Sequence, residues 1–170
     1  NTMKLINLII NAFKKYWNVI FFLAMLAASV PTNTQLRKCS ATSSGIVSLE
    51  LAGSPQKALT IRESLSGAHP ALIAVAEHNI WIDFGFILSY GWLLWWLAGL
   101  WNDDDCNIKP ARQLILAACP FAVTENIGML LFLNNGPAGL QWLFFVAAVL
   151  KFVLLLIVLV WGLALWSIGP

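Results

Sequence analysis

Three charged residues stand in stretches that are otherwise apolar: Asp83 in "WIDFGFILSYG", Glu125 in "FAVTENIGMLLF" and Lys151 in "VLKFVLLL". At the centre of a bilayer each such charge costs ~2.5–3.5 kcal/mol on insertion scales, so each must face the protein interior and find a partner. Two carboxylates and one ammonium make one ion pair and leave a carboxylate over. That carboxylate must share the lysine, take up a proton, or meet a bound cation or ligand. Asn79, Asp83 and Tyr90 recur at i, i+4 and i+11, one stripe of a helix. Asn126 adjoins Glu125 but points about 100° away around the helix, toward a different neighbour. This chemistry is that of a buried site for a proton, a small ion or the polar head of a ligand. Its plainer alternative is structural, because buried polar side chains also hold membrane helices together at ~0.6 kcal/mol per hydrogen bond.

Other chemistry finds little support. No nucleophile stands beside a general base, so no residue is assigned a catalytic role. His69 and His78 fall near one helix mouth and no other helix offers a histidine, so a haem is not expected. Glu77, His78 and Asp83 lack a metal-ligand spacing. The acidic run "NDDDC" lacks the glycine and terminal glutamate of a calcium loop. Cys39, Cys106 and Cys119 lie far apart, with no C-x-x-C pair to suggest zinc or redox chemistry. No cofactor and no metal is expected.

The elements that must position these groups follow from composition. Hydrophobic residues make up 59% of the 170 and charged residues only 11%, against about a quarter charged in soluble domains. The chain therefore reads as an integral membrane protein. Its net charge of +2, without a Lys/Arg block, speaks against nucleic acid as a partner. Four stretches reach the ~20 apolar residues a spanning helix needs: about 5–30, 71–101, 111–133 and 140–167. The first resembles a signal peptide, with Lys14 and Lys15 before an apolar core, and is read as a membrane helix. Pro120 lies inside the third, which membrane helices tolerate. Residues 31–70 form a long polar outer loop. Within it Ser54 and Pro55 are a helix cap and a first-turn proline, predicting a short amphipathic helix from Pro55 to Leu65 at the membrane surface. The fold class is all-α, a four-transmembrane-helix bundle with a short helix in the loop between the first and second spans.

Counting residues at ~1.5 Å each puts Asp83 ~18 Å, Glu125 ~12 Å and Lys151 ~16 Å from the outer side. The three share one layer near mid-bilayer, on three different helices. Loop charge orients the bundle: Lys4, Lys14, Lys15, Lys109 and Arg112 fall on one side, and Arg37, Lys38, Lys57 and Arg62 on the other. The basic cluster before the first span favours both termini on the cytoplasmic side.

Four short blocks, "LELAGSPQKALTIRESL", "WIDFGFILSYG", "TENIGMLL" and "LKFVLLL", resemble blocks of small, largely uncharacterised bacterial four-helix integral membrane proteins. The resemblance covers residues 47–165 and leaves out the first helix. It implies a bacterial inner-membrane protein and draws attention to Glu50, Asp83 with Tyr90, Glu125 with Asn126, and Lys151; it implies no activity. The ligand or ion candidates are thus Asp83, Glu125, Asn126, Lys151, Tyr90, Asn79 and Glu50. Three roles remain open: a binding or conducting protein for a small ligand, ion, proton or lipid-like molecule; an accessory subunit of a larger membrane complex or homo-oligomer; and an intramembrane enzyme acting on a lipid.

Overall fold

A computed structural model describes the backbone of residues 2–39, 42–68, 71–98 and 105–168, and the side chains of 16–39, 42–67, 71–98 and 109–164. Every described element is a helix: α1 (Thr2–Leu36), α2 (Val47–Glu50), α3 (Pro55–Ala68), α4 (Ala71–Ala98), α5 (Asp105–Leu133) and α6 (Leu140–Ile168). Among the described residues, Tyr16–Leu36, Ala71–Ala98, Lys109–Leu133 and Leu140–Ala164 are long and apolar enough to span a membrane. The chain is a multi-pass membrane protein. In hydrocarbon a backbone must satisfy its own polar groups, and the helix does so within one segment.

Two boundaries differ from the sequence expectation. The first span does not stop at residue 30: α1 runs through Pro31 to Leu36. A proline removes one backbone donor and crowds the carbonyl four residues back. The helix nevertheless continues, and hydroxyls around the proline bond back to it, Ser29 Oγ donating to Leu26 O at 2.8 Å, Thr32 Oγ1 to Ser29 O at 2.9 Å and Thr34 Oγ1 to Val30 O at 2.8 Å. The polar stretch before residue 111 is not all loop either. α5 begins at Asp105, so Cys106 and Lys109 lie in it, and both Pro110 and Pro120 are inside the helix. An aspartate in a helix's first turn complements its dipole, which favours this earlier start. Trp101 and His69 fall outside the described residues.

The short helix appears where its cap predicts. Ser54 Oγ accepts from the Lys57 N–H at 3.3 Å, Pro55 opens α3, and Ala58, Ile61 and Leu65 form its buried face. That face does not lie loose on the membrane surface. It joins Leu36, Leu49, Ile80, Met129, Phe132 and Phe144 in a core at the loop end of the bundle. Arg62 fastens α3 to the α5–α6 turn, donating to Phe132 O at 3.0 Å and Gly136 O at 3.3 Å. The turn closes α5 with Asn135 in the left-handed region, φ 63°, and the Gly136 N–H on Leu131 O at 2.9 Å, a helix stop that satisfies an otherwise orphaned carbonyl.

The spans pack in chain order, α1 on α4, α4 on α5 and α5 on α6. Small residues permit the closest approach: buried Ala118, Ala122, Ala147 and Ala148 lie on α5 and α6, and a Cβ on Gly128 would stand 3.1 Å from that of Phe144. Among the described residues α1 and α6 make no extended packing contact, which leaves a gap between the first and last spans.

Candidate functional site

The apolar core is interrupted at one level. Ile80, Met129 and Phe144 belong to the loop-end cluster, whereas Ile87 and Ala122 belong to the next one along. Between them, on three helices, come Asp83, the Glu125–Asn126 pair and Lys151. Lys151 Nζ is 2.6 Å from Glu125 Oε2, both side chains buried. Asn126 Nδ2 donates to Asp83 Oδ2 at 2.9 Å. Adjacent residues of α5 thus reach opposite neighbours, Glu125 to α6 and Asn126 to α4, as their 100° offset requires.

Glu50 comes to the same place by a different route. It ends α2, the four-residue helix between α1 and α3, and is buried. α2 packs on α5 and α6, and Asn33 on α1 accepts the Ile46 N–H at 3.3 Å, fastening its start. Glycines frame the segment in the left-handed region, Gly45 at φ 69° and Gly53 at φ 64°. Such a conformation costs a residue with a Cβ ~1–2 kcal/mol. The Glu50 carboxyl stands close enough to Lys151, Asp83 and Glu125 to feel all three. Burial pushes the Glu50 pKa above its ordinary 4.5; Lys151 and Glu125 oppose the rise and the nearby Asp83 adds to it.

Tyr90 and Asn79 do not join this network. Asn79 Nδ2 donates to Thr32 Oγ1 and ties α4 to α1. The buried Tyr90 hydroxyl has no hydrogen-bond partner among the described residues, and neither does Asn126 Oδ1. Glu77, at the mouth of α4, accepts from Asn134 Nδ2 at 2.8 Å, away from the cluster.

A cavity of ≈450 Å³ fills the gap between α1 and α6. Glu50, Asp83, Lys151, Asn79 and Tyr90 form its polar wall. Phe22, Phe86 and Phe152 are among its apolar lining. The residues that α1 and α4 turn toward it follow helical stripes, Phe22, Leu26, Ser29 and Asn33 on the first and Asn79, Asp83, Phe86 and Tyr90 on the second. Its rim residues Leu26 and Phe152 are exposed, at 43% and 46%, so the cavity faces the bilayer side of the bundle. No protein-family model, curated protein or solved structure matches the chain.

Glu125, Asp83 and Lys151 were found by counting depth along apolar helices. The cavity wall on α1 escaped that count, since Ser29 and Asn33 carry no charge and lie in or beyond the expected end of the first span. The i, i+4, i+7, i+11 spacing of Phe22, Leu26, Ser29 and Asn33 is the signal that would have marked it.

Proposed function

We propose that this protein binds a small amphiphilic molecule inside the membrane, its polar part against Glu50, Asp83 and Lys151 and its apolar part against the phenylalanines of α1, α4 and α6. The observation that carries this reading is the ≈450 Å³ cavity with a charged wall and an apolar rim, a size and a lining typical of small-molecule sites. Structural glue alone does not account for it, because helix–helix adhesion needs polar groups turned toward one another rather than toward an opening. On this reading the loop-end cap of α2 and α3 lies outside, both termini are cytoplasmic, and the protein sits in a bacterial inner membrane among the small four-helix proteins it resembles.

Native mass spectrometry of the gently purified protein tests the proposal. The expected result is one small molecule retained per chain and lost in Glu125→Gln, with Glu50→Gln as a second variant should Glu125→Gln fold poorly. A bare chain that co-elutes with other membrane subunits would contradict it and favour an accessory role.

A further inference from the structure

We infer that the cavity selects a hydrophobic amine in its protonated form, an inference that rests on the proposed binding function and names its ligand class. Three carboxyl groups, those of Glu50, Asp83 and Glu125, gather around one lysine. Lys151 is committed to Glu125 at 2.6 Å, and both Glu50 and Asp83 stand on the cavity wall. Asp83, like Glu50, is thus a wall carboxyl with no ion pair of its own among the described residues. It has one amide hydrogen bond, from Asn126, and stands on the cavity wall. In a medium of low dielectric an excess of carboxyl groups over ammonium groups favours a bound cation and repels an anion.

The lining points to an organic cation rather than an inorganic one. The rings of Phe22 and Phe86 lie 5.2 Å apart and those of Phe86 and Tyr90 5.6 Å apart, forming a row along the wall. The aromatic face already attracts an ammonium here, because Lys151 Nζ sits 4.5 Å from the centre of the Phe152 ring. Ring faces stabilise cations within about 6 Å, more strongly when water is excluded. The cavity is far larger than a dehydrated metal ion, and among the described residues no three acidic, histidine or cysteine side chains converge as metal ligands.

The Tyr90 hydroxyl selects among organic cations. It is buried on the wall without a hydrogen-bond partner among the described residues, and its oxygen offers an acceptor to an N–H. A primary or secondary ammonium supplies that donor and a quaternary one does not. A zwitterionic lipid headgroup would bring its phosphate against Asp83 and Glu50, so a free amine fits better. It would enter sideways from the bilayer, past Leu26 and Phe152.

Three probes sharing one hydrocarbon frame test the assignment: 1-adamantylamine, 1-adamantanol and 1-adamantanecarboxylate, by equilibrium dialysis against the protein in phosphatidylcholine nanodiscs, with protein-free nanodiscs subtracted. The expected result is saturable binding of the amine at one per chain, at least tenfold tighter than the alcohol, with no specific binding of the carboxylate. Asp83→Asn should weaken the amine about tenfold and leave the alcohol unchanged. Equal binding of amine and alcohol, or preference for the carboxylate, would overturn the inference while leaving a binding cavity in place. Failure of all three to bind would overturn it too, and the mass measurement of the native protein would then decide separately whether the cavity holds any ligand.

Discussion

Lys151 reaches Glu125 at 2.6 Å across the α5–α6 interface, and Glu50, delivered by a four-residue helix from the loop, shares a cavity wall with that lysine. One ammonium thus serves a cluster of three carboxyl groups, since Asp83 also lies within its electrostatic reach. The consequences of that imbalance can be measured.

Removing the lysine should hurt more than removing its partner. Lys151→Met leaves three carboxyls without a cation, whereas Glu125→Gln leaves Lys151 with Glu50 and Asp83 nearby. Breaking a buried pair from one side costs about 3–5 kcal/mol. Lys151→Met should fall at the upper end of that range and Glu125→Gln below it. Thermal unfolding in mild detergent reports the order, and the reverse order would show that Lys151 serves Glu125 alone.

The stability of the protein should decline as pH rises. Glu50 has a raised folded-state pKa, so the folded state binds its proton more tightly than the unfolded chain does. The stabilisation is fully present below the ordinary value of 4.5 and is lost as pH rises through the raised value. The groups facing it are Lys151 on α6, Glu125 on α5 and Asp83 on α4. Melting curves recorded from acidic to mildly alkaline pH should show a falling melting temperature in wild type and a flatter profile in Glu50→Gln. A wild-type melting temperature that rises across the same window would contradict the assignment.

Two asparagines on facing surfaces should behave differently. Asn126 supports Asp83 at 2.9 Å, and hydrogen bonds to charged groups contribute ~1.5–3 kcal/mol. Asn79 bonds a neutral threonine on α1, for which membrane cycles average ~0.6 kcal/mol. Asn126→Leu is expected to lower stability by about 2 kcal/mol, and Asn79→Leu by about 1 kcal/mol or less. Equal losses in the two variants would mean that Asp83 is not charged in the folded protein.

Gly53→Ala probes how Glu50 is delivered. The glycine stands at φ 64°, and a Cβ there would meet only Leu51 O in ordinary contact at 3.9 Å, so the cost is conformational and amounts to ~1–2 kcal/mol. Relieving it would rotate the link between α2 and α3 and withdraw Glu50. The variant should lose both stability and the pH slope that Glu50 supplies. Loss of stability with the slope intact would separate the glycine from the carboxyl.

Much of this was legible in the sequence because a bilayer makes charge expensive. Asp83, Glu125 and Lys151 stand out against apolar surroundings, and ~1.5 Å per residue locates them at one level. The cap of α3 was legible for an equally local reason, Ser54 and Pro55 in series. Glu50 was different. Only the resemblance marked it, since it lies in a polar loop, and its burial depends on two left-handed glycines and on packing of α2 against α5 and α6, which no local pattern encodes. The same holds for the cavity. It exists because α1 and α6 do not close on each other, a property of four helices together. The end of the first span was misplaced for a simpler cause: the apolar run stops at Val30 and polar residues follow, yet the helix continues through Pro31 to Leu36.

The occupancy of the cavity is the central claim, and filling the cavity tests it most directly. Leu26→Trp would place an indole into the space between α1 and α6 without touching Glu50, Asp83, Glu125 or Lys151. Native mass spectra should show a retained small molecule on the wild type and none on the filled variant, with the melting temperatures of the two alike. A wild type with no retained molecule, or one that survives in Leu26→Trp, would contradict the account.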